Sequence, residues 1–357
     1  MTTLTTARAS YGMSPKMHQS QSALPASLLR WFDRVQRDLP WRRTKDPYAI
    51  WISEVMLQQT QVTTVIPYFE RFLAKFPTLT ALAQASPSDV LSKWSGLGYY
   101  SRARNLHKAA QVVLAQHEGA LPASVEALLE LPGFGRYTAG AVASIAFGIQ
   151  APLVDGNVSR VLTRLFAVDE EPREKKIWQL ATQLVPALRP GDFNQALMEL
   201  GATVCLPRAP LCLLCPVRGD CQALAQGRVD QLPLPKVRAA RKALNLSVAV
   251  CRRGHKLLVM RRDDGGLFGG LWELPSAAPE ALPSLLGKKG IIGSSLGCVT
   301  RTLTHRALTL ELWSAKAGPA LQVPPGYQEQ RWVTCAQLLE LGISSATRAV
   351  LKHLAFT

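Results

Sequence analysis

Residues 131–140 read LPGFGRYTAG, and the glycines Gly133 and Gly135 fall between two segments with helical spacing of apolar residues, 124–131 and 140–147. Glycine permits the backbone angles of a tight turn, and a turn here leaves the first N–H groups of the following helix uncovered. The positive end of that helix can therefore face a phosphate. An isolated G-x-G is a weak signal, because turns often need glycine for purely local reasons. Flanked on both sides by helical patterns, however, this turn predicts a helix–hairpin–helix element that holds the DNA backbone without reading its sequence.

The chain around this hairpin divides into a helical part and a part rich in strand formers. Residues 25–226 show one helical window after another, separated by short Gly and Pro breaks. Residues 227–244 are basic and contain prolines, as is typical of a linker, and residues 245–357 contain short segments of strand formers. We therefore predict an all-α domain followed by a smaller α+β domain. Residues 1–24 are rich in Ser, Thr and Gln without apolar periodicity, and we expect a disordered leader there.

The composition of the 357-residue chain favours a nucleic acid as its partner. The net charge is +16, and residues 228–262 contain ten Lys and Arg against one acid, Asp230. A solvated basic surface would give the same net charge, but clustering of this kind can neutralise several phosphates. No uninterrupted run of about 18 apolar residues is present, so no membrane span is predicted.

Four of the seven cysteines lie within 17 residues, with the spacing C-x6-C-x2-C-x5-C: Cys205, Cys212, Cys215 and Cys221. No secretion signal is recognisable, so we expect a reducing compartment and metal or cluster ligation instead of disulfides. Structural zinc sites more often show C-x2-C twice, whereas four thiolates from one compact loop suit a 4Fe–4S cluster. We predict the cluster, with zinc as the alternative, and the colour of the protein would decide between them.

Two acidic residues stand alone in apolar surroundings. Glu54 is the only charged residue in 47–69, and Asp155 is the only one in 137–159. Asp155 can serve simply as the N-cap of a helix that begins near Val158, and Glu54 can be a hydrogen-bonded structural acid. Burial would keep Glu54 partly protonated, while a helix N-terminus would keep Asp155 ionised. One neutral and one ionised carboxyl group is the arrangement that cleavage of a glycosidic bond uses.

Polar and aromatic residues that suit the opening of a duplex follow the first of these acids. Gln58-Gln-Thr-Gln61 comes directly after its segment, and Gly96-Leu-Gly-Tyr-Tyr100 is a glycine-rich loop that ends in aromatic residues. Extrusion of a base needs a wedge residue beside a pocket. Core packing or exposure to solvent would explain any one of these residues alone. Their position beside the acid favours DNA contact for Leu57, Gln59 and Tyr99.

Together these motifs resemble the helix–hairpin–helix DNA glycosylase superfamily, and within it the chain is similar to the adenine DNA glycosylases of the MutY family. The resemblance covers about residue 28 to the C-terminus. It rests on SEVMLQQTQ (53–61), WSGLGYYSR (94–102), the hairpin, VDGNVSRV (154–161), MELGA (198–202) and the four cysteines.

The resemblance implies roles for individual residues. Glu54 resembles the general acid that protonates the five-membered ring of the adenine, and Asp155 resembles the carboxylate that stabilises the oxocarbenium ion of the sugar. Tyr137 and Asn157 match positions that orient these groups. Gln59, like Tyr99, matches a residue that fills or wedges the stack near the lesion. In the related endonuclease III type, a lysine at the place of Tyr137 attacks the sugar. Tyrosine cannot form a Schiff base, so we expect a monofunctional enzyme.

The C-terminal part is similar to the Nudix-like domain that, in this family, recognises 8-oxoguanine opposite the adenine, beginning with GGLWELP at 269–275. A catalytic Nudix hydrolase needs several Glu on one helix to hold magnesium. Only Glu273 and Glu280 occur between Trp272 and Gly290, so pyrophosphatase activity is not expected. The lesion-contacting Phe-Ser-His tip of the family corresponds to Leu303-Thr304-His305 here, with a hydroxyl and the histidine retained and the aromatic replaced by Leu303.

We therefore expect an enzyme that flips out adenine mispaired with 8-oxoguanine or guanine and hydrolyses its N-glycosidic bond. The alternatives are an endonuclease III-like glycosylase and lyase that acts on oxidised pyrimidines, and a DNA-binding iron–sulfur protein without catalysis. We further expect a monomer that acts on double-stranded DNA at the nucleoid in a bacterial cytoplasm, without a membrane partner.

Overall fold

The computed structural model of the protein describes residues 15–171, 173–235 and 240–355. Helices follow one another through the first two thirds of the chain, which confirms the predicted helical part. They are α1 (Pro15–Val35), α2 (Pro47–Leu57), α3 (Val62–Lys75), α4 (Leu79–Gln84), α5 (Pro87–Trp94), α6 (Ser101–Gln116), α7 (Val125–Leu129), α8 (Arg136–Phe147), α9 (Gly156–Leu165), α10 (Arg173–Leu184), α11 (Pro190–Thr203) and α12 (Gln222–Ala225). Within the described ranges, no helix is both long and apolar enough to cross a membrane.

The last third of the chain forms the predicted α+β part, with β1 (Lys242–Arg253), β2 (Lys256–Arg262), β3 (Trp272–Glu273), β4 (Ser276–Ala277), β5 (Ile291–Thr302), β6 (Arg306–Lys316), β7 (Tyr327–Thr334), α13 (Cys335–Glu340) and α14 (Ser345–His353). The described strands form one sheet with the order β3-β2-β1-β6-β5, in which β4 pairs with β1 and β7 pairs with β2. Strands β1 and β6 are parallel, and the other pairs are antiparallel.

The structure packs into two compact units. The first contains the described residues up to 54, residues 122–130 and residues 134–235, and the second contains residues 55–121, 131–133 and 240–355. In the first unit, side chains of α1, α8, α9, α10 and α11 share one core. In the second unit, alternate residues of β1 and β2 face two separate cores, because successive side chains of a strand point to opposite faces of the sheet.

The predicted boundaries differ from the structure at three places. Residues 15–24 of the predicted leader belong to α1, since a helix once formed propagates at low cost through residues such as Gln, Ser and Ala, while residues 1–14 lie outside the described residues. The predicted linker 227–244 overlaps β1, which begins at Lys242. Residues 55–121 pack into the second unit, with the strands, although their sequence is helical like that of 25–54.

Candidate active site

The hairpin that the sequence predicts is formed by the turn between α7 and α8. Gly133 has φ +81°, a backbone angle that favours glycine, and an added Cβ would lie 2.6 Å from the Cβ of Asn105. Gly135 is the N-cap of α8 and has no side chain to cover the first N–H groups. Both glycines are exposed. No side chain caps the start of α8, whose positive dipole end is suited to a phosphate.

Helix α2 carries Glu54 into a buried position, where its residue is only 4% exposed. The hydroxyl of Tyr137, on the first turn of α8, donates a hydrogen bond of 2.5 Å to Oε2 of Glu54. Burial raises the pKa of Glu54, the Tyr137 hydrogen bond lowers it, the charge of Asp155 raises it and that of Arg42 lowers it, and the net result is a pKa of about 7. The side chain is therefore close to half protonated at neutral pH, as the sequence predicted.

Asp155 is the N-cap of α9, where Oδ1 accepts 2.7 Å from the N–H of Val158 and Oδ2 accepts 2.9 Å from Nδ2 of Asn157. The sequence predicted that the helix N-terminus would favour the ionised form. The structure corrects this in part, because burial outweighs the hydrogen bonds and the charge of Arg160, and raises the pKa of Asp155 above its ordinary value. The donors still point at the carboxylate oxygens, so they stabilise the anion whenever it forms.

Two glycines allow these helices to approach closely. A Cβ on Gly140 would lie 2.0 Å from the carbonyl oxygen of Pro152, just before Asp155. A Cβ on Gly201 in α11 would lie 2.6 Å from the Cβ of Asn157. The sequence motifs contain both glycines, but spacing alone gives no sign of which backbone they touch.

Arg160 is a residue that the sequence analysis missed. Its guanidinium donates to Oδ1 of Asn157 (3.0 Å), to the carbonyl of Gly201 (2.7 Å) and to the carbonyl of Cys205 (2.8 Å). It lies four residues into α9, so its helical position places it on the face of Asn157. Arginine is common in any basic chain, and the convergence of these acceptors appears only in three dimensions.

The predicted wedge residues lie in the second unit, on strained turns. Gln59 has φ +57° and Tyr99 has φ +47°, which are uncommon angles for residues with a side chain. Both residues are exposed, Tyr99 by 43%, whereas Leu57, the last residue of α2, is half-buried. The predicted DNA-binding residues Gln59 and Tyr99 thus face solvent in conformations that the surrounding structure must hold in place.

Arg102 supplies that support. Its guanidinium donates to the carbonyls of Val55, Met56 and Gln58 at the end of α2, and to the carbonyl of Gly98 beside Tyr99. Burial lowers the pKa of Arg102 to about 10, so it stays charged at neutral pH. In the sequence Arg102 closes the motif 94–102 and has no separate predicted role. The structure shows that it fixes the two turns, since its donors already point at carbonyls inside the protein.

The predicted tip residues line a cavity of about 420 Å³ in the second unit, together with Tyr99, Phe268 and Arg104. The hydroxyls of Tyr99 and Thr304 are hydrogen-bonded at 2.5 Å. Thr304 and His305 are exposed, and Leu303 is half-buried. The structure therefore brings Tyr99 and the tip together, although 205 residues separate Tyr99 from Thr304 in the chain.

The four predicted cysteine ligands surround one cavity, whose other walls are largely apolar and include Val161, Leu165, Leu200 and Val204. Burial raises the pKa of the Cys215 thiol to about 11 and also raises those of Cys212 and Cys221. Among the described residues, no group of His, Cys, Asp or Glu forms a ready site for a metal ion. A single zinc would need four sulfurs about 3.8 Å from one another. The cavity that they line has a volume of about 30 Å³, so the choice between zinc and a cluster rests on the ligand spacing of the single loop.

A buried Glu54 and a half-buried Asp155 beside a hairpin that can hold DNA backbone indicate a base-excision DNA glycosylase of the helix–hairpin–helix class. In agreement, the sequence model described as HhH-GPD superfamily base excision DNA repair protein matches residues 52–187, and that of the NUDIX domain matches residues 247–353. The chain belongs to the adenine DNA glycosylase family. The human adenine DNA glycosylase is 38% identical over 405 residues, covering 93% of this chain and 74% of that protein.

One further relative and two solved structures are similar to the chain. The adenine DNA glycosylase of Buchnera aphidicola (subspecies Acyrthosiphon pisum) is 39% identical over 216 residues, covering 59% of this chain and 62% of that protein. The structure of a thermostable thymine-DNA glycosylase has a TM-score of 0.55 and 32% identity, covering 59% of this chain and 99% of that one. A structure of endonuclease III with DNA, at 23% identity and a TM-score of 0.52, shares the fold.

Proposed function

We propose that this enzyme removes adenine paired with 8-oxoguanine, and also adenine paired with guanine, from double-stranded DNA as a monomer. In this proposal residues 25–226 cleave the glycosidic bond, and residues 245–357 recognise the opposite base. The observation that carries it is the pairing of a buried Glu54, whose pKa is about 7, with a hydrogen-bonded Asp155 whose charge reaches it.

The first step is assigned to Glu54. In its protonated form this side chain donates its proton to a nitrogen of the five-membered ring of the flipped adenine, and the N-glycosidic bond breaks with its electrons passing to the base. Adenine then leaves as a neutral molecule. A pKa of about 7 suits this role, because a general acid works best when its pKa lies near the working pH.

The second step is assigned to Asp155. Loss of the base leaves positive charge on the sugar, with the character of an oxocarbenium ion, and the anionic form of Asp155 stabilises this charge across a short distance in a site that excludes water. Asn157 holds one carboxylate oxygen and the N–H of Val158 holds the other. A water then adds to the sugar and its proton returns to a carboxylate of the site, which leaves an intact strand with an abasic position.

Tyr137 supports the monofunctional assignment. Its hydroxyl is already committed to Glu54, and a phenol has no amine with which to form a Schiff base on the sugar. The tyrosine therefore orients the acid and does not attack. Strand cleavage after base removal is not expected from this residue.

We further propose that Cys205, Cys212, Cys215 and Cys221 hold a 4Fe–4S cluster. When bound, the cluster joins the ends of the 205–221 loop and contributes a structural cross-link. The Arg160 hydrogen bond to the carbonyl of Cys205 extends this cross-link toward Asn157. The purified protein is expected to be brown and to contain four iron and four sulfide per chain. A colourless protein with one zinc would contradict the assignment.

The test of the function is a single-turnover assay on duplexes with adenine opposite 8-oxoguanine, guanine, cytosine or thymine. We expect excision to be fastest opposite 8-oxoguanine, slower opposite guanine and negligible opposite thymine. Equal rates opposite all four bases would contradict the proposed recognition. Treatment of the reaction with borohydride should trap no enzyme–DNA adduct. Efficient trapping, or cleavage of oxidised pyrimidines, would favour the endonuclease III-like activity.

A further inference from the structure

Two residues that line the cavity of the second unit have backbone angles in the left-handed region. Tyr99 has φ +47° and Phe268 has φ +61°, and both line the cavity of about 420 Å³. A bulky residue is strained at such an angle, and residues held this way concentrate at binding sites. Glycine at either position would remove the strain. The presence of Tyr99 and Phe268 there therefore indicates that their side chains have a role.

The structure around Phe268 holds it firmly in that conformation. Its loop folds back on itself, because an added Cβ on Gly269 would lie 2.5 Å from the carbonyl oxygen of Asp264. Arg104 in α6 donates 2.6 Å to the carbonyl of Gly269, and the carbonyl of Phe268 accepts a hydrogen bond from the N–H of Leu271. These contacts fix the backbone of Phe268 and therefore the direction of its ring.

The other aromatic residues of this cavity, Tyr99 and Tyr100, differ from Phe268 because they carry hydroxyl groups that are already hydrogen-bonded within the protein. Tyr100 is buried, and its hydroxyl donates to the carbonyl of Ile343. The hydroxyl of Tyr99 is hydrogen-bonded to Thr304. Phe268 packs one part of its side chain against the core under α14 and stays partly exposed beside the cavity. Its ring has no polar atom, so the face of a flat aromatic group is the partner that it fits.

We infer that Phe268 is a base-contacting residue whose ring packs against a purine held in this cavity, the base opposite the adenine that is removed. The inference rests on the proposed function. Contact between an aromatic side chain and a base face is strong and tolerant of base identity. Phe268 accordingly strengthens binding of 8-oxoguanine and of guanine alike, while hydrogen bonds from the tip distinguish the two.

The test compares the full-length enzyme with Phe268→Leu, which keeps an apolar side chain and removes the ring, and with Phe268→Tyr, which keeps the ring. Leu267→Ala is the matched control, since Leu267 lines the same cavity on the same loop. Affinity is measured on duplexes that carry a non-cleavable 2′-fluoro-adenosine opposite 8-oxoguanine, opposite guanine or opposite a tetrahydrofuran abasic analogue. Thermal melting of each variant checks its folding.

For Phe268→Leu we expect about five- to tenfold weaker binding opposite either purine and less than twofold change opposite the abasic analogue. Phe268→Tyr and Leu267→Ala should each stay within about twofold of the parent.

Equal weakening on all three duplexes by Phe268→Leu would overturn the inference, because it would mean that the ring only supports the fold. An equal effect of Leu267→Ala would overturn it too, since any apolar contact would then suffice. These outcomes are separate from failure of the proposed function, which would appear in the parent enzyme as no adenine excision opposite 8-oxoguanine.

Discussion

Glu54, Tyr137 and Asp155 lie on helices of the first unit with their polar atoms already paired, whereas Tyr99 and Phe268 border an open cavity on turns of the second unit. In the first site Glu54 is buried and Asp155 is half-buried, and loss of contact with water raises the pKa values of both acids. The second is exposed, and its unusual feature is backbone strain. The fold thus sets the pKa values of the acids in the first region and the backbone angles of the aromatic residues in the second.

The difference fits what each site binds in the proposed function. Proton transfer and charge stabilisation need fixed groups in a dry environment, because water would screen the charges and restore ordinary pKa values. Recognition of a base needs surfaces that are open before the DNA arrives. Turns supply such surfaces, provided that residues such as Arg102 and Arg104 hold them in place.

Glu54→Gln has the largest expected effect. Glutamine has nearly the same shape but carries no acidic proton, so adenine excision should fall by about 10²- to 10⁴-fold in single-turnover assays. Duplex affinity should stay within about threefold of the parent. A rate near that of the parent would remove Glu54 from the mechanism.

Glu54→Gln also measures how much burial of the Glu54 carboxylate destabilises the protein. The pKa of Glu54 is raised from 4.5 to about 7 on folding, so the folded protein holds this proton more tightly than the unfolded chain. The free energy of unfolding of the protein therefore falls as pH rises from about 4.5 through 7, by about 3 kcal/mol in all. Glu54→Gln should raise the melting temperature at pH 8 and leave it nearly unchanged at pH 4.

Asp155→Asn is expected to have the next largest effect, about 10²- to 10³-fold on the excision rate, because the amide cannot stabilise a cation. Its retained Oδ1 still accepts from the N–H of Val158, so α9 keeps its N-cap. Asp155→Ala provides the comparison, since it also removes the cap and should lower the melting temperature further. Similar melting curves for the two variants would show that the cap contributes little.

Tyr137→Phe should have a moderate effect with a diagnostic pH dependence. The hydrogen bond from Tyr137 lowers the pKa of Glu54, so its loss should raise that pKa. In the proposed mechanism the excision rate requires protonated Glu54, so in the parent it should fall as pH rises through about 7. In the variant this fall should occur at higher pH, with about a tenfold lower plateau because the acid is less well oriented. An unchanged profile would mean that the hydroxyl does not act on Glu54.

Thr304→Val should have the smallest effect and should be confined to the recognition cavity. It removes the hydroxyl that is bonded to Tyr99 and keeps the shape of the side chain. We expect about two- to tenfold weaker binding of a duplex that contains 8-oxoguanine, the value of one hydrogen bond, with an unchanged excision rate at saturating enzyme. Tyr99→Phe removes the same hydrogen bond from the other side, and the two changes together should cost little more than either alone.

The sequence alone determined the helical and α+β parts, the hairpin, and the isolation of Glu54 and Asp155, because these depend on local periodicity, glycine chemistry and the rarity of a lone acid in an apolar segment. It did not reveal that Gly201 admits the backbone of Asn157, that Arg160 connects Asn157 to Cys205, or that Arg102 fixes the turn of Gln59. Those contacts join residues far apart in the chain.

The pKa of Asp155 shows the same limit. Its place at a helix N-terminus could be predicted, and its hydrogen bonds followed from it. The direction of its pKa could not, since burial depends on everything that packs around the carboxyl group. Local sequence therefore determined the groups that we propose for the chemistry, and the tertiary structure decided their environment, their partners and the cavity in which Tyr99, Phe268 and Thr304 meet.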